Sequence, residues 1–265
     1  MSSLNEVNKT LYIPLYGKAQ ISKKGIILHD PTAEKIWDRE GFAIKGKSKS
    51  KWLCYNMAMR ARVFDDWTRG MIAQHAEAVV LHIGCGLDSR CLRVDAPDVN
   101  WIDCDFADVI AIRKYYYAES SRYAMACVNA ANQDDLRALP DAPCAIVVLE
   151  GISMYLTNDQ LAQLFRVLNE KYREVHILLD VYTVFGAKAS KYKNPVNDVG
   201  VSQLYGVDYV APLLQGTRLS LAAEHSFTPE HLVNELARFE KWFFKLMFTG
   251  KMYRKIYRLY ELTSA

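Results

Sequence analysis

The stretch Val79-Val80-Leu81-His82-Ile83-Gly84-Cys85-Gly86-Leu87-Asp88-Ser89-Arg90 constrains the fold of this chain more than any other. Val79 to Ile83 is a short apolar run without helical spacing, which predicts a buried strand. It stops in Gly84-Cys85-Gly86, where a missing Cβ lets the backbone turn sharply and come close to a ligand. Asp88 or Ser89 is then placed to cap a helix. Strand, glycine turn and helix N-terminus in succession open a nucleotide-type βαβ unit.

A second apolar strand, Val99 to Asp103, ends in the carboxylates of Asp103 and Asp105. A Rossmann-like fold uses an acid at that place on a ribose hydroxyl pair. Ser89 stands where a dinucleotide fingerprint has its third glycine, which counts against a plain NAD site. A turn and acid without that glycine suit S-adenosylmethionine (SAM), which has no pyrophosphate to cradle. The competing reading is an ordinary tight turn in an α/β sheet.

The rest of the chain follows the same alternation. Before the sheet, Asp30-Pro31 predicts a helix start, with the acid as cap and proline in the first turn. Trp52 to Ile72 predicts an amphipathic helix with Met59, Val63, Trp67 and Met71 at helical spacing. On it, Asp65 and Arg69 predict an exposed pair of little worth. An arginine of this helix near the glycine turn is also suited to fork the carboxylate of an amino-acid ligand, better than a lysine.

Downstream, Asp105 to Ala118 reads as a crossover helix and Ala124 to Asn129 as a third strand. Cys144 to Leu149 is a fourth strand ending in Glu150-Gly151, Thr157 caps a helix from Leu161 to Tyr172, and Val175 to Val181 is a fifth strand. This is α/β with a largely parallel sheet. Ligands in such sheets lie beyond the carboxyl ends of the strands, where Asp103, Asp135 and Glu150 fall. From Thr183 to Gln215 regularity lapses, giving either a lid over an apolar pocket or a plain connection. Thr228-Pro229 predicts another helix start, and Tyr253 to Leu262 a final antiparallel strand closing the sheet. The whole reads as one domain, 1–265, with an N-terminal helical extension (1–72), a binding core (78–182) and a lid segment (183–216).

Composition narrows the function classes. An apolar fraction of 51% supports a full core. A net charge of +3, with no basic stripe interleaved with aromatics, argues against a dedicated nucleic-acid binder. The alternating Lys45, Lys47, Lys49 and Lys51 read as a solvated loop or as a loop attracting an anionic substrate. None of the six cysteines forms Cys-x-x-Cys, which predicts reduced thiols rather than disulfides or a zinc site. With neither a signal-peptide pattern nor a membrane-length apolar run, the expected location is the cytoplasm.

Several segments together resemble the leucine carboxyl methyltransferase family, in its bacterial branch similar to the tetracenomycin-type polyketide O-methyltransferases. They are Asp30-Pro-Thr-Ala33, Arg60-Ala-Arg62-Val-Phe64-Asp65, Val80 to Arg90, Asp103-Cys-Asp105 and Leu149-Glu150-Gly-Ile-Ser-Met-Tyr155-Leu156. The resemblance runs from about Leu15 to Leu156. It implies a class I SAM-dependent methyltransferase fold (Rossmann-like α/β, mostly parallel, with an antiparallel final strand) and SAM as cofactor.

By the same resemblance, Arg60 holds the methionine carboxylate with Lys18 as a second candidate, and Gly84 and Gly86 pass close to the methionine part. Asp103 is the better ribose ligand and Asp105 the alternative. Asp135 and Leu136 flank adenine, and Glu150 lies under the cofactor. The family often has glutamate at the place of Asp103 and proline at that of Ala107. The implied activity is methyl transfer to a carboxylate or phenolic oxygen of a small molecule, with Tyr155 either orienting the acceptor or packing, and with no metal. An ionised carboxylate needs no base, whereas a phenol is helped by one. His82 and His176 fall in strands and read as core residues, and His225 is a poor candidate. The alternatives are a SAM-binding module without catalysis and an NAD(P)-dependent oxidoreductase.

Overall fold

The computed structural model describes residues 11–40, 44, 46–193 and 203–264. Its strands are β1 (Val79–Ile83), β2 (Asn100–Asp105), β3 (Tyr123–Cys127), β4 (Cys144–Leu149), β5 (Glu174–Tyr182), β6 (Leu219–His225) and β7 (Tyr257–Ser264). They form one sheet in the order β3-β2-β1-β4-β5-β7-β6. β1 to β5 pair in parallel, whereas β7 runs antiparallel between β5 and β6. The two central strands, β1 and β4, are buried at every residue. Strands covered on both faces read as unbroken apolar runs, which is why their limits coincide with the predicted ones.

Side chains alternate across the sheet and divide it into two faces. Leu81, Val147, Ile177 and Leu179 point to one face. There they pack on α7 (Asn158–Lys171) through Leu161, Leu164, Phe165 and Leu168. Val80, Ile146, Val148 and Leu178 point to the other face. That face is covered by the long helix α3 (Lys51–Gln74) through Phe64 and Met71. His82, Glu150, His176 and Asp180 alternate onto the α3 face, where the ionisable groups of the core collect.

α1 (Tyr12–Lys23) and α2 (Pro31–Glu40) precede α3, and α1 packs against both α2 and α3. The start of α2 is capped as predicted: the Ala33 N–H donates to Asp30 Oδ1 at 2.9 Å. After β1 come the short helices α4 (Arg90–Val94), α5 (Ala107–Arg113) and α6 (Gln133–Arg137), then α7, which starts in a capping box between Thr157 and Gln160. Ser89 holds the cap position of α4 but its side chain caps nothing; the hydroxyl donates to Asp30 Oδ1 instead, tying α2 to the glycine turn.

The second half departs from several expectations. Val184–Lys193, inside the segment expected to be irregular, is helix α8, whose Gly, Ser and Lys content gives no clear apolar stripe. Pro195, and all of 194–202, lie outside the described residues, as does Lys45. Thr228 does not cap α9 (Glu230–Val233): Pro229 holds the cap position, and the Thr228 hydroxyl donates to the Phe248 carbonyl. α10 (Arg238–Phe248) and α11 (Gly250–Arg254) follow, so Tyr253 is helical and the last strand starts only at Tyr257. That strand does not close the sheet either. β6 does, and most of its side chains are partly or fully exposed, as edge strands often are, so it lacks an apolar run. Among the described residues, no helix is long and apolar enough to cross a membrane.

Candidate active site

A cavity of about 920 Å³ opens at the carboxyl ends of the parallel strands. Strand order lays out its walls. Asp105 ending β2 and Phe106 beyond it, with Val128 to Ala131 after β3, form one end; the Gly84-Cys85-Gly86 turn and Glu150 form the middle; Tyr182 ending β5 and Tyr257 opening β7 form the other end. α3 adds Leu53, Asn56, Met57 and Arg60, a single helical face.

Two glycines are required by the crowding here. Gly84 has φ +76°, and a Cβ on it would stand 2.7 Å from Ile152 Cγ2. Gly151 has φ +72°, and a Cβ there would stand 3.3 Å from Arg60 Nη2. Both have a left-handed backbone; at Gly84 the contact leaves no room for a side chain, and at Gly151 a Cβ would press on the Arg60 guanidinium.

Arg60 is buried and central. Its Nε donates to Glu150 Oε1 at 2.9 Å, and its Nη1 donates to Asp180 Oδ2 and to Tyr257 Oη, each at 2.9 Å. Tyr257 in turn donates to Asp180. Glu150 also accepts from Arg90, which is fully buried and donates to Asp65 Oδ1 at 2.8 Å. Arg93 extends the network to Asp65, Asp30 and Asp88, while Lys18 Nζ lies 2.9 Å from Asp88 Oδ2.

Burial alone would raise the carboxyl pKa values, but the cations outweigh it. Arg60 and Arg90 bring Glu150 down to about 2. Arg93, Lys18 and Arg90 hold Asp88 well below the usual carboxylate range. Asp65 therefore does not form the predicted exposed pair with Arg69: it is buried on Arg90 and Arg93, and Arg69 pairs with Asp66.

The two acids at the end of β2 part company. Asp103 is fully buried and does not line the cavity. Its carboxylate accepts from Arg113, from Trp101 Nε1 at 2.8 Å and from Tyr123 Oη at 2.7 Å. Arg113 also donates to the Gly86 carbonyl at 3.0 Å, so Asp103 acts on the turn from behind. It lies on the same face as Asp105 but two residues inside the strand end, where it meets a buried guanidinium, so the preferred ribose candidate is away from the cavity and the alternative lines it. Asp105 lines the cavity, accepting from the Gly86 N–H at 2.7 Å and the Phe106 N–H at 2.8 Å. Burial raises its carboxyl to about 6 despite those two bonds.

The remaining candidates divide in the same way. Lys18, Arg60, Gly84, Gly86, Glu150 and Tyr155 line the cavity. Asp135 and Leu136 do not; Leu136 belongs to the core, and Asp135 Oδ2 accepts from the Asn129 N–H at 2.9 Å, bracing the loop that does. The sequence reading missed Asn56, Met57 and Tyr257 as lining residues, whereas Asp88, read as part of the floor of the site with the glycine turn, does line it. Asn56 and Met57 share a helix face with Arg60, a signal that was available in the spacing.

His82 also lines the cavity, although it is 1% exposed. Its Nδ1 sits 3.3 Å from Asp103 Oδ1 without the alignment of a hydrogen bond, and burial lowers its pKa, keeping it neutral.

The network sets a pH dependence of stability. Glu150 and Asp103, both at about 2, and Asp88, also lowered, contribute stability that is present above their unfolded values and lost as pH falls through the folded ones. Asp105, raised to about 6, works in the opposite sense and stabilises as pH falls through that value. The urea midpoint should therefore hold or rise slightly from neutral pH to about 5, then fall steeply below about 4. Midpoints that stay flat down to about pH 2.5 would mean the buried pairs add no net stability.

Comparison with known proteins accords with this geometry. The chain is 31% identical over 209 residues to the tetracenomycin polyketide synthesis O-methyltransferase TcmP of Streptomyces glaucescens, covering 77% of this chain and 76% of that protein. It is 26% identical over 189 residues to the S-adenosyl-L-methionine-dependent methyltransferase dpfgK of Gibberella zeae, covering 65% and 63% respectively. A SAM-dependent methyltransferase structure from Clostridium acetobutylicum superposes with a TM-score of 0.50 at 9% identity, covering 87% of this chain and 96% of that one. That likeness is one of fold, the class I Rossmann-like arrangement that the sequence implied. The sequence model of the leucine carboxyl methyltransferase family matches residues 14–169, from α1 through the glycine turn and β4 into α7, and the chain belongs to that family.

Proposed function

We propose that this chain transfers a methyl group from SAM to an oxygen of a small, largely apolar acceptor, with a carboxylate preferred over a phenol. The observation that carries this reading is the make-up of the cavity at the carboxyl ends of the parallel strands. Glycine turn, buried cations and an acid lie toward β1 and β2, and tyrosines lie toward β5 and β7.

The donor set fits the cofactor. Arg60 and Lys18 are the cations for its carboxylate. Asp105 is the acceptor for its ribose hydroxyls, and Val128 to Ala131, braced by Asp135, are the wall for its base. Bound SAM supplies an electrophilic methyl group on a sulfonium, which an acceptor oxygen takes by in-line displacement as the C–S bonding pair returns to sulfur. A dinucleotide fits worse: Asp88 and Glu150, both held ionised, line the cavity beside the turn where a pyrophosphate would lie.

Among the described lining residues the only imidazole is His82, which is buried and turned to Arg90 and Asp103. Burial holds the Tyr253 and Tyr257 hydroxyls protonated, so they serve as donors and not as bases. An acceptor that arrives already ionised needs only positioning and exclusion of water. We assign the positioning to Tyr155 and the covering to the described part of the 183–216 segment, whose α8 presents Gly186, Ala189 and Ser190 to the cavity.

The test has two parts. Calorimetric titration should give saturable binding of SAM and S-adenosylhomocysteine and none of NAD(H); the reverse pattern removes the reading. S-adenosylhomocysteine release should then be followed across polyketide-type aromatic acids, phenols and a peptide ending in leucine. Turnover confined to phenols would overturn the carboxylate preference. Silence across the panel with the cofactor bound would favour a binding module.

A further inference from the structure

At the opposite ends of the same strands, on the α3 face, four side chains able to bind a metal come together. Cys144 opens β4 and Glu174 opens β5, in register beside it. His176 lies two residues further along β5 on the same face, and His75 is the C-cap of α3 above them. One ligand atom of each lies within 4.8 Å of all the others. Glu174 Oε1 is 2.9 Å from His176 Nε2 and 3.5 Å from His75 Nδ1, and the two imidazole rings lie 4.3 Å apart.

The second nitrogen of His176 is also engaged. Nδ1 is 3.0 Å from Thr263 Oγ1, and that hydroxyl reaches the Ser264 carbonyl at 3.5 Å. A hydroxyl donating to the carbonyl accepts from Nδ1–H. The Nε2 lone pair then faces the Glu174 carboxylate at 2.9 Å, an arrangement that a bound cation would satisfy. A hydrogen-bonded outer partner that fixes the ring in this way is a regular feature of histidine metal ligands.

We propose that His75, Cys144, Glu174 and His176 form a zinc site. Two imidazole nitrogens, a thiolate and a carboxylate are a donor set for a tetrahedral, borderline-soft ion and a poor one for magnesium or calcium. As the S–Zn bond forms, the Cys144 thiol proton leaves to solvent. His75 and Glu174 are partly exposed and give the ion an entry path, whereas Cys144 and His176 are buried. At about 1.5 Å per residue His75 lies roughly 20 Å along α3 from Arg60. The ion would clamp the end of α3 to β4 and β5 without touching the cavity. Sequence spacing gives no hint of such a site, because its ligands come from three separate segments.

The test uses the whole chain, purified from zinc-supplemented cells without chelator. Elemental analysis should find a single zinc per chain. Its removal by a chelator should lower the melting temperature, and zinc but not magnesium should restore it. Cobalt in its place should give a thiolate charge-transfer band, which requires no variant to observe. His75→Ala should lose the zinc, and Cys144→Ser should lose the band. A Thr263 hydroxyl that donates to Nδ1, with Nε2–H donating to Glu174, would close the same contacts without a metal. In that case zinc is substoichiometric, cobalt shows no thiolate band, and zinc affinity is unchanged in His75→Ala, and the proposal is overturned. None of these readouts depends on methyl transfer.

Discussion

Arg60→Ala should lower the melting temperature by roughly 10 °C and weaken SAM binding by roughly 10- to 100-fold. Among the described residues the guanidinium is the one cation bonded to Asp180, a side chain with no exposure whose carboxyl is raised by burial even with Arg60 in place. Removing one partner of a buried pair strands the other charge, at about 3–5 kcal/mol. For a chain of this length each kcal/mol is worth about 2–4 °C. Glu150 keeps Arg90 and so suffers less. The binding loss is separate: a charge-assisted bond to the cofactor carboxylate is worth about 1.5–3 kcal/mol. The double variant Arg60→Ala/Asp180→Asn removes the stranded charge and should recover part of the melting temperature with no recovery of SAM affinity. Thermal melts and calorimetry read the two effects independently. Unchanged SAM affinity in both variants would take Arg60 out of the cofactor site.

What the residues disclosed in advance, and what they withheld, follows from range. β1 and β4 were legible to the residue because both faces are covered and an apolar run has no interruption. The Asp30 and Thr157 caps were legible because capping is settled within a few residues. β6 was not, being an edge strand whose side chains mostly face solvent. Asp65 shows the limit most clearly. Helical spacing offers Arg69 as its partner, but burial turns it to Arg90 and Arg93, and no spacing rule reaches across from α3 to α4.

The cavity itself was half legible. The glycine turn, Glu150, Arg60, Lys18 and Tyr155 were named from motif and resemblance, and all line it. Asp103 and Asp105 look equivalent in sequence, since both end the same strand. Both point to the same face, but Asp105 ends the strand at the cavity while Asp103 lies two residues further in, and only the packing of Arg113 says that this one is tied up inside. The collection of ionisable groups on the α3 face has the same origin, as contacts such as Arg60 to Asp180 join residues far apart in the chain.

Asp103 and Asp105 should therefore give opposite phenotypes. Asp103→Ala leaves Arg113 buried without its carboxylate and removes acceptors from Trp101 and Tyr123. The expected loss is about 3–5 kcal/mol of stability. The protein that remains folded should bind SAM with affinity reduced only as far as the Gly86 turn loosens. Asp105→Asn should leave the melting temperature unchanged or raise it, because it removes a carboxylate that burial already disfavours. SAM affinity should fall roughly 10- to 100-fold, the worth of a charge-assisted bond to the ribose. In the unaltered chain Asp105 sits at about 6, so SAM affinity should weaken as pH falls through that value and level off above it. In Asp105→Asn the same titration should be flat across that range. If Asp103→Ala proves stable but unable to bind SAM, while Asp105→Asn binds normally with the pH dependence intact, the ribose acid is Asp103 and its ties to Arg113 must open when the cofactor enters.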